Sequence, residues 1–189
     1  LERWIQRGTL TPDAIRPVMR TWQNNLHVDA NAPADRVVLR SFSALMLAAV
    51  ITRDNTDPFL TADEVKTVRT AALTYLAAET DMRGFDDRLG WVHATAHTAD
   101  LLRALGRSTS IGSEVQSQFL DAIARRLRTA TVVFTFGEDE RLARAITSLM
   151  LRSDFAPEPF KAWLAEVTNT PAGPVSTASL RTQQNVKNT

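Results

Sequence analysis

Apolar residues recur at helical spacing along most of the chain, and no segment keeps the alternation of a β-strand. From Ile15 to Leu26, for example, apolar side chains fall on one face of a helix. Helix-start signals agree with this pattern. Thr11 places a capping hydroxyl before a proline, and the segment from Thr61 to Glu64 has the form of a capping box. The pattern predicts an all-α protein.

The order of the predicted helices indicates pairs that repeat. The first helices of successive pairs begin near Thr11, Thr61 and Ser113, a spacing of roughly 50 residues that is close to the period of two-helix HEAT and armadillo repeats. We therefore expect stacked antiparallel helix pairs in a HEAT/armadillo-like α-α superhelix. An irregular helical bundle is the alternative, because no sequence signature repeats with the helices.

The length of the chain, 189 residues, is that of one domain. We expect a single all-helical domain over 1–189 that is incomplete at both ends, because the sequence opens inside a helical pattern at Leu1 and closes without a stop signal. A short Pro/Gly segment at 171–175 is predicted to link the rest to a last helix.

Composition excludes several classes of partner. The 22 basic and 21 acidic side chains leave a net charge of +1, so the basic excess expected of a nucleic-acid-binding protein is absent. Without cysteine there are no disulfides and no thiolate metal sites. No apolar run approaches the ~18 residues of a membrane span, so we expect no membrane insertion. The expected compartment is the cytoplasm, with the periplasm after signal-peptide removal as the alternative.

The densest polar segment runs from Asp81 to Asp100. In a helix predicted over 91–105, His93, His97 and Asp100 fall within a wedge of ~60°. Two histidines four residues apart, with a carboxylate one turn on, have the spacing of a zinc or non-haem iron site. The alternative is structural: the helix is apolar over much of its circumference, and the histidines hydrogen-bond to backbone carbonyls of the preceding loop. Position 94 is Ala, where metalloproteases with two helical histidines have Glu.

The loop before this helix alternates in charge, with Asp81, Arg83, Asp86, Asp87 and Arg88 in close succession. One interpretation is a surface loop with local ion pairs. The other is a rigid polar edge that brings Arg83 or Asp87 toward the start of the helix, where an anion is favoured.

A second acidic cluster begins the helix predicted at Glu138. Acids in a first turn are expected from the helix dipole alone. However, if the helices at 91–105 and 138–151 are the second members of consecutive pairs, they run parallel and begin at one edge. That edge would then also receive His27 and Asp29. The predicted metal ligands are His93, His97, Asp100, Glu138 and Asp139, the predicted catalytic groups Asp81, Arg83 and Asp87, and the predicted ligand-lining residues Trp91, Arg88 and Arg141.

The same segments resemble a known family. ETDMRGF at 79–85, LGWVHA at 89–94, AH at 96–97, ADLL at 99–102, RSFSAL at 40–45 and GEDERLA at 137–143 are similar, in the correct order, to the bacterial family called domain of unknown function 2785. Thr98 departs from the small residue expected there, and Leu89 from a more usual polar one. The resemblance implies a HEAT-like helical fold that continues beyond both ends, and no established activity or ligand.

Three functions compete. The favoured one is a non-enzymatic interaction module that binds a protein or a small polar ligand, because stacked helical pairs generally serve as docking platforms. The second is a metal-dependent hydrolase or oxygenase with His93 and His97 as ligands and Asp81 or Asp87 as general base. The third is a small-anion or phosphate binder that uses Arg83, Arg88 and the helix start near Trp91.

Overall fold

The computed structural model describes residues 1–169 and 176–189, which form nine α-helices and one two-stranded hairpin. The helices are α1 Glu2–Gln6, α2 Pro12–Asn25, α3 Arg36–Asp54, α4 Ala62–Ala78, α5 Ala94–Gly106, α6 Gln116–Thr129, α7 Glu138–Met150, α8 Pro157–Thr168 and α9 Thr177–Asn188. The strands β1 Phe85–Asp86 and β2 Gly90–Trp91 pair antiparallel, with Phe85 opposite Trp91. The prediction of an all-α protein is confirmed.

Two of the three predicted helix starts have the expected caps. The Thr11 hydroxyl accepts from the amide of Ala14 at 3.3 Å, and Thr61 and Glu64 form the reciprocal capping box that begins α4. Near Ser113 no side-chain cap forms: a 3-10 turn, Ser113–Val115, leads directly into α6, which begins three residues after the predicted start.

Helices α3, α5 and α7 lie side by side in one layer and run parallel. Near their starts, Ser41 of α3 contacts His97 of α5. Near their ends, the Asn55 amide donates to the carbonyl of Ala104, and Gly106 packs so tightly on Ser148 of α7 that a Cβ there would collide. These three helices therefore begin at the same edge of the molecule.

Helices α2, α4, α6 and α8 form the second layer and run the opposite way. Arg16 of α2 pairs with Glu64 at the start of α4 at 3.1 Å. Arg126 of α6 donates to the carbonyl of Leu76 near the end of α4. The Trp163 indole of α8 donates to the carbonyl of Leu120 in α6 at 2.7 Å. Apolar side chains between the two layers form the core.

Three local features differ from what the sequence pattern alone suggests. A glycine that follows a helical pattern often forms a left-handed cap, but Gly106 is the last residue of α5 and has no positive φ. The helical pattern places Phe42 on the buried face of α3, but 41% of its side chain is exposed, because α3 buries Val37, Ala44 and Leu47 instead. The apolar segment 132–136 buries only Phe134.

The last predicted helix is confirmed as α9, which Ser176 caps through the amide of Ser179. The predicted linker at 171–175 lies outside the described residues. In the ranges that the structure covers, none of the helices is long and apolar enough to cross a membrane.

Candidate functional site

The loops that precede α5 and α7 meet beside the first turns of α3. Gly84, in the α4–α5 loop, packs so closely on Phe136 and Glu138 that a Cβ would lie 2.5 Å from atoms of both. The prediction that these helices begin at a common edge is therefore confirmed. This edge contains most of the residues that the sequence singles out.

Glu79 anchors the start of the α4–α5 loop. Its side chain is almost completely buried, and Oε2 accepts from Nε of Arg40 on α3 at 2.6 Å. Oε1 accepts from the amide of Asp81 at 3.0 Å, while the Glu79 carbonyl accepts from Arg126 of α6 at 2.9 Å. One residue thus joins the loop to two helices, one in each layer.

The guanidinium of Arg83 is shared by two carboxylates. Its Nε donates to Asp81 at 3.0 Å, and Nη1 donates to Asp86 at 2.5 Å. Burial acts to raise the pKa of Asp81, but the hydrogen bonds and charge of Arg83 outweigh it, so that this pKa lies below its ordinary value. Asp86 also has a lowered pKa, first because it accepts from the amide of Leu89. Arg83 is therefore engaged within its own loop.

Asp87 and Arg88 lie at the exposed turn between β1 and β2. In the part of the chain that the structure describes, neither side chain has a hydrogen-bonding partner. The catalytic role predicted for Asp87 and the ligand-lining role of Arg88 stay predictions.

His93 precedes α5 instead of lying inside it. Its φ of +50° makes it the one described non-glycine residue with positive φ. This left-handed backbone costs roughly 1–3 kcal/mol, which the surroundings must offset. The amide of Val92 donates to the carbonyl of Gly84 at 2.9 Å, and the amide of His93 donates to the carbonyls of Arg83 and Gly84 at 3.2 and 3.3 Å, so the chain is not yet helical here. The helix predicted from Trp91 is thus wrong by three residues at its start.

The ring of His97 is held through a serine. Ser41 Oγ donates to the carbonyl of Val92 and lies 2.8 Å from Nδ1 of His97. A hydroxyl has one proton, and here it is directed to the carbonyl, so Nδ1 of His97 is the donor in the second bond. The neutral tautomer is therefore the one with hydrogen on Nδ1, which leaves a lone pair on Nε2.

His93 packs between two other rings. Its imidazole lies 4.6 Å from Trp91 and 5.5 Å from His97, measured between ring centroids, and the two imidazoles are almost perpendicular at 86°. Its Nε2 is buried with no hydrogen-bonding partner among residues 1–169 and 176–189. The structural alternative expected both histidines to bond directly to carbonyls of the loop. For His97 the connection to the loop runs through Ser41 instead.

Both imidazoles are neutral near pH 7. Burial, reinforced by the positive charge of Arg141, lowers the pKa of His97 to about 3. The same two causes lower the pKa of His93.

The carboxylates predicted as metal ligands have other neighbours. Asp100 binds Arg141 at 2.8 Å, and burial keeps the pKa of Asp100 above its ordinary value despite this pair. Buried Glu138 accepts from the amide of Phe136 through Oε2, and its Oε1 has no partner in the described chain. Asp139 accepts from the amide of Glu140. Over the described ranges, no three His, Asp or Glu side chains are placed to hold one metal ion.

Exposed aromatic rings cover this edge. Trp91 is 51% exposed, and it contacts Phe85 at 5.1 Å and Phe136 at 6.0 Å between ring centroids. Phe42 packs its ring on His97 at 4.9 Å, nearly edge-on. We call this surface the aromatic rim; its members are Phe42, Phe85, Trp91 and Phe136, with His93 and His97 between them.

Comparison with known proteins identifies a family. Residues 24–189 match the family described as "Protein of unknown function (DUF2785)". The chain belongs to this family. No curated protein and no solved structure matches it.

The motifs by which this DUF2785 chain resembles its family meet at the edge described above. The motif at 40–45 supplies Arg40 and Ser41, and the motif at 137–143 supplies Glu138 and Arg141. Thr98, where the resemblance implies a smaller residue, is buried, and its hydroxyl donates to the carbonyl of Ala94 at 2.7 Å.

Sequence reasoning missed four members of the site: Ser41, Phe42, Phe85 and Phe136. Ser41, Phe42 and Phe85 lie in motifs of the resemblance but have no distinguishing local pattern, and Phe136 belongs to a segment of β-like composition. His27 and Asp29, predicted at the same edge, are exposed in the α2–α3 loop. Among the described residues, the imidazole of His27 makes no contact with the rings of the aromatic rim.

Proposed function

We propose that this DUF2785 protein is a non-enzymatic interaction module, a stack of HEAT-like helix pairs that docks a partner protein on the aromatic rim. The superhelical classification is supported by the two layers of parallel helices, in which each pair contributes one helix to each layer.

One observation carries the proposal: four large aromatic side chains are between 41% and 51% exposed at a single edge. A chain of ring contacts connects them. Contiguous exposed apolar surface typically marks an interaction site, and aromatic residues are enriched in interfaces. In many interfaces a few residues, often aromatic, contribute most of the binding energy.

The scaffold below the rim favours docking because it is already ordered. The loop that carries Trp91 is held by Glu79 and by the Arg83 ion pairs. His93 and His97 support the rings as neutral spacers. Little conformational entropy is therefore lost when a partner binds.

Selection from a peptide-display library tests the proposal. The wild-type protein is compared with a Trp91→Ser/Phe136→Ser variant and with a control, Trp4→Ser/Leu151→Ser, which removes exposed apolar side chains of Trp4 (59%) and Leu151 (74%) elsewhere. Circular dichroism first establishes that all three are folded. We expect peptides that bind the wild type and the control but not the rim variant. Equal enrichment on all three proteins would refute the proposal.

A second function, metal-dependent chemistry, is favoured by the two imidazoles. His97 presents an unprotonated Nε2, and Nε2 of His93 is unpartnered. With Zn–N distances of about 2.05 Å, two imidazoles on one tetrahedral zinc have centroids about 5 Å apart, close to the 5.5 Å here. Ser41 orients the ring of His97. Metal-bound histidines are commonly oriented in the same way, by a hydrogen-bonding group that does not itself bind the metal. The remaining ligands would be water, because no third His, Asp or Glu side chain of the described residues is placed to share an ion with these two.

Metal analysis of protein purified without a polyhistidine tag tests this second function. If His93 and His97 bind a metal, the wild type and a His27→Ala control should contain zinc or iron and should show a thermal shift when metal is added. Neither should occur in the His93→Ala/His97→Ala variant. A metal-free wild type with no shift on addition of Zn²⁺, Fe²⁺ or Mn²⁺ would exclude it, and the hydrolase or oxygenase hypothesis with it.

A further inference from the structure

We infer that the aromatic rim receives a cationic side chain of the partner, an arginine or a lysine. The inference rests on the proposed docking function and specifies the chemistry of the docked group. Two independent features of the edge carry it: the arrangement of the rings and the excess of acidic groups around them.

Phe85 and Phe136 pack directly against Trp91. Their rings are turned 75° and 78° from the plane of the indole, and their centroids lie 5.1 and 6.0 Å from its centroid. The face of an aromatic ring carries partial negative charge, and several rings at steep angles are the arrangement that recognises organic cations. Each of the three side chains is more than 40% exposed, so that a ligand can contact all three rings.

Acidic groups outnumber cations beside these rings, although the whole chain has a net charge of +1. Asp81 and Asp86 share Arg83 as a single cation. Glu138, directly below Gly84 and Phe136, forms no salt bridge in the described residues. A cation at the rim would complement this negative field.

The other charges near the rings leave this balance intact. Arg141 is held by Asp100, and Arg144 by Glu140. The exposed pair at the hairpin turn, Asp87 and Arg88, contributes one charge of each sign. A cationic ligand therefore meets no unopposed cation at the rim.

Titration with small probes tests the inference directly. The probes are the amides of Nα-acetyl-arginine, Nα-acetyl-lysine and Nα-acetyl-citrulline, since citrulline has nearly the shape of arginine without its charge. The reporter is the indole N–H signal of Trp91 in ¹H–¹⁵N spectra, assigned with a Trp91→Phe variant. We expect the arginine and lysine probes to shift this signal, and the citrulline probe to bind at least tenfold more weakly.

Two charge variants separate local from general electrostatics. Asp87→Asn/Asp139→Asn changes acidic groups at the edge. The control Glu114→Gln/Asp121→Asn changes two exposed acids, one in the 3-10 turn before α6 and one in α6. Arginine binding should weaken about threefold in the first and stay unchanged in the second. Equal binding of arginine and citrulline, or equal weakening by both variants, would overturn the inference.

The display selection distinguishes this failure from failure of the docking function. Rim-dependent peptides that lack arginine and lysine would leave the interaction module in place and overturn the cationic ligand. The absence of any rim-dependent peptide would overturn both. Rim-dependent peptides with a shared arginine or lysine support both.

Discussion

Removing the hydroxyl of Ser41 is the sharpest test of how the edge is organised. Ser41 is completely buried, and its Oγ joins the Val92 carbonyl of the loop to Nδ1 of His97 on α5. The substitution Ser41→Ala deletes one atom and leaves a donor and an acceptor unpaired at once.

The size of the effect follows from those two groups. Each buried polar group left without a partner costs about 1–3 kcal/mol. Two such penalties, partly offset where water enters the space of the lost oxygen, predict a loss of about 3 kcal/mol in the free energy of unfolding. That is a large share of the ~5–15 kcal/mol that stabilises a typical domain.

Urea unfolding measures this loss, and a neighbouring serine provides the control. Ser43, also buried in α3, accepts from the half-exposed amide of Asn25 at 3.0 Å. In Ser43→Ala that amide can turn to water, so we expect a loss of about 1 kcal/mol. Long-range ¹H–¹⁵N spectra give a second readout, because His97 should carry its hydrogen on Nδ1. A Ser41→Ala loss no larger than that of Ser43→Ala, or hydrogen on Nε2 in the wild type, would refute the reasoning.

Three further predictions concern stability. In the unfolded chain His97 is protonated below its ordinary pKa of about 6.5, whereas in the folded protein its pKa is about 3. The free energy of unfolding should therefore decrease as the pH is lowered from 6.5 toward 3. Between pH 6.5 and 5 the wild type should lose about 2 kcal/mol more than His97→Gln, by urea unfolding at each pH; equal losses would contradict the burial of that imidazole. Gly84→Ala should cost about 1–3 kcal/mol through collision with Phe136 and Glu138, and a wild-type midpoint in denaturant would show that the loops are not in contact. Glu79→Ala should cost about 3–5 kcal/mol because it leaves Arg40 buried and unpaired, whereas breaking the exposed pair through Arg144→Ala should leave the thermal midpoint unchanged.

Helix content and two of the three predicted helix starts followed from the sequence because they depend on neighbours within one turn. The cap at Thr11 and the capping box at Thr61 need only residues two or three positions away. The common edge of α5 and α7 was also predictable, since alternating antiparallel pairs force every second helix into the same direction.

The start of α5 was not predictable in this way. The carbonyl of Gly84, eight and nine residues earlier, binds the amides of Val92 and His93 and holds the chain out of the helix. The exposure of Phe42 likewise depends on which face of α3 packs against its neighbours. Helical periodicity predicts that face only to within about one residue.

The sequence by itself determined an all-helical chain, its helix pairs and the segments that would carry polar chemistry, because these depend on local spacing and composition. Tertiary structure alone decided that Ser41 orients His97, that Asp100 is held by Arg141, and that four aromatic side chains gather at one surface. Those contacts join residues tens of positions apart. Their partners are selected by the geometry of packed layers, which no local pattern encodes.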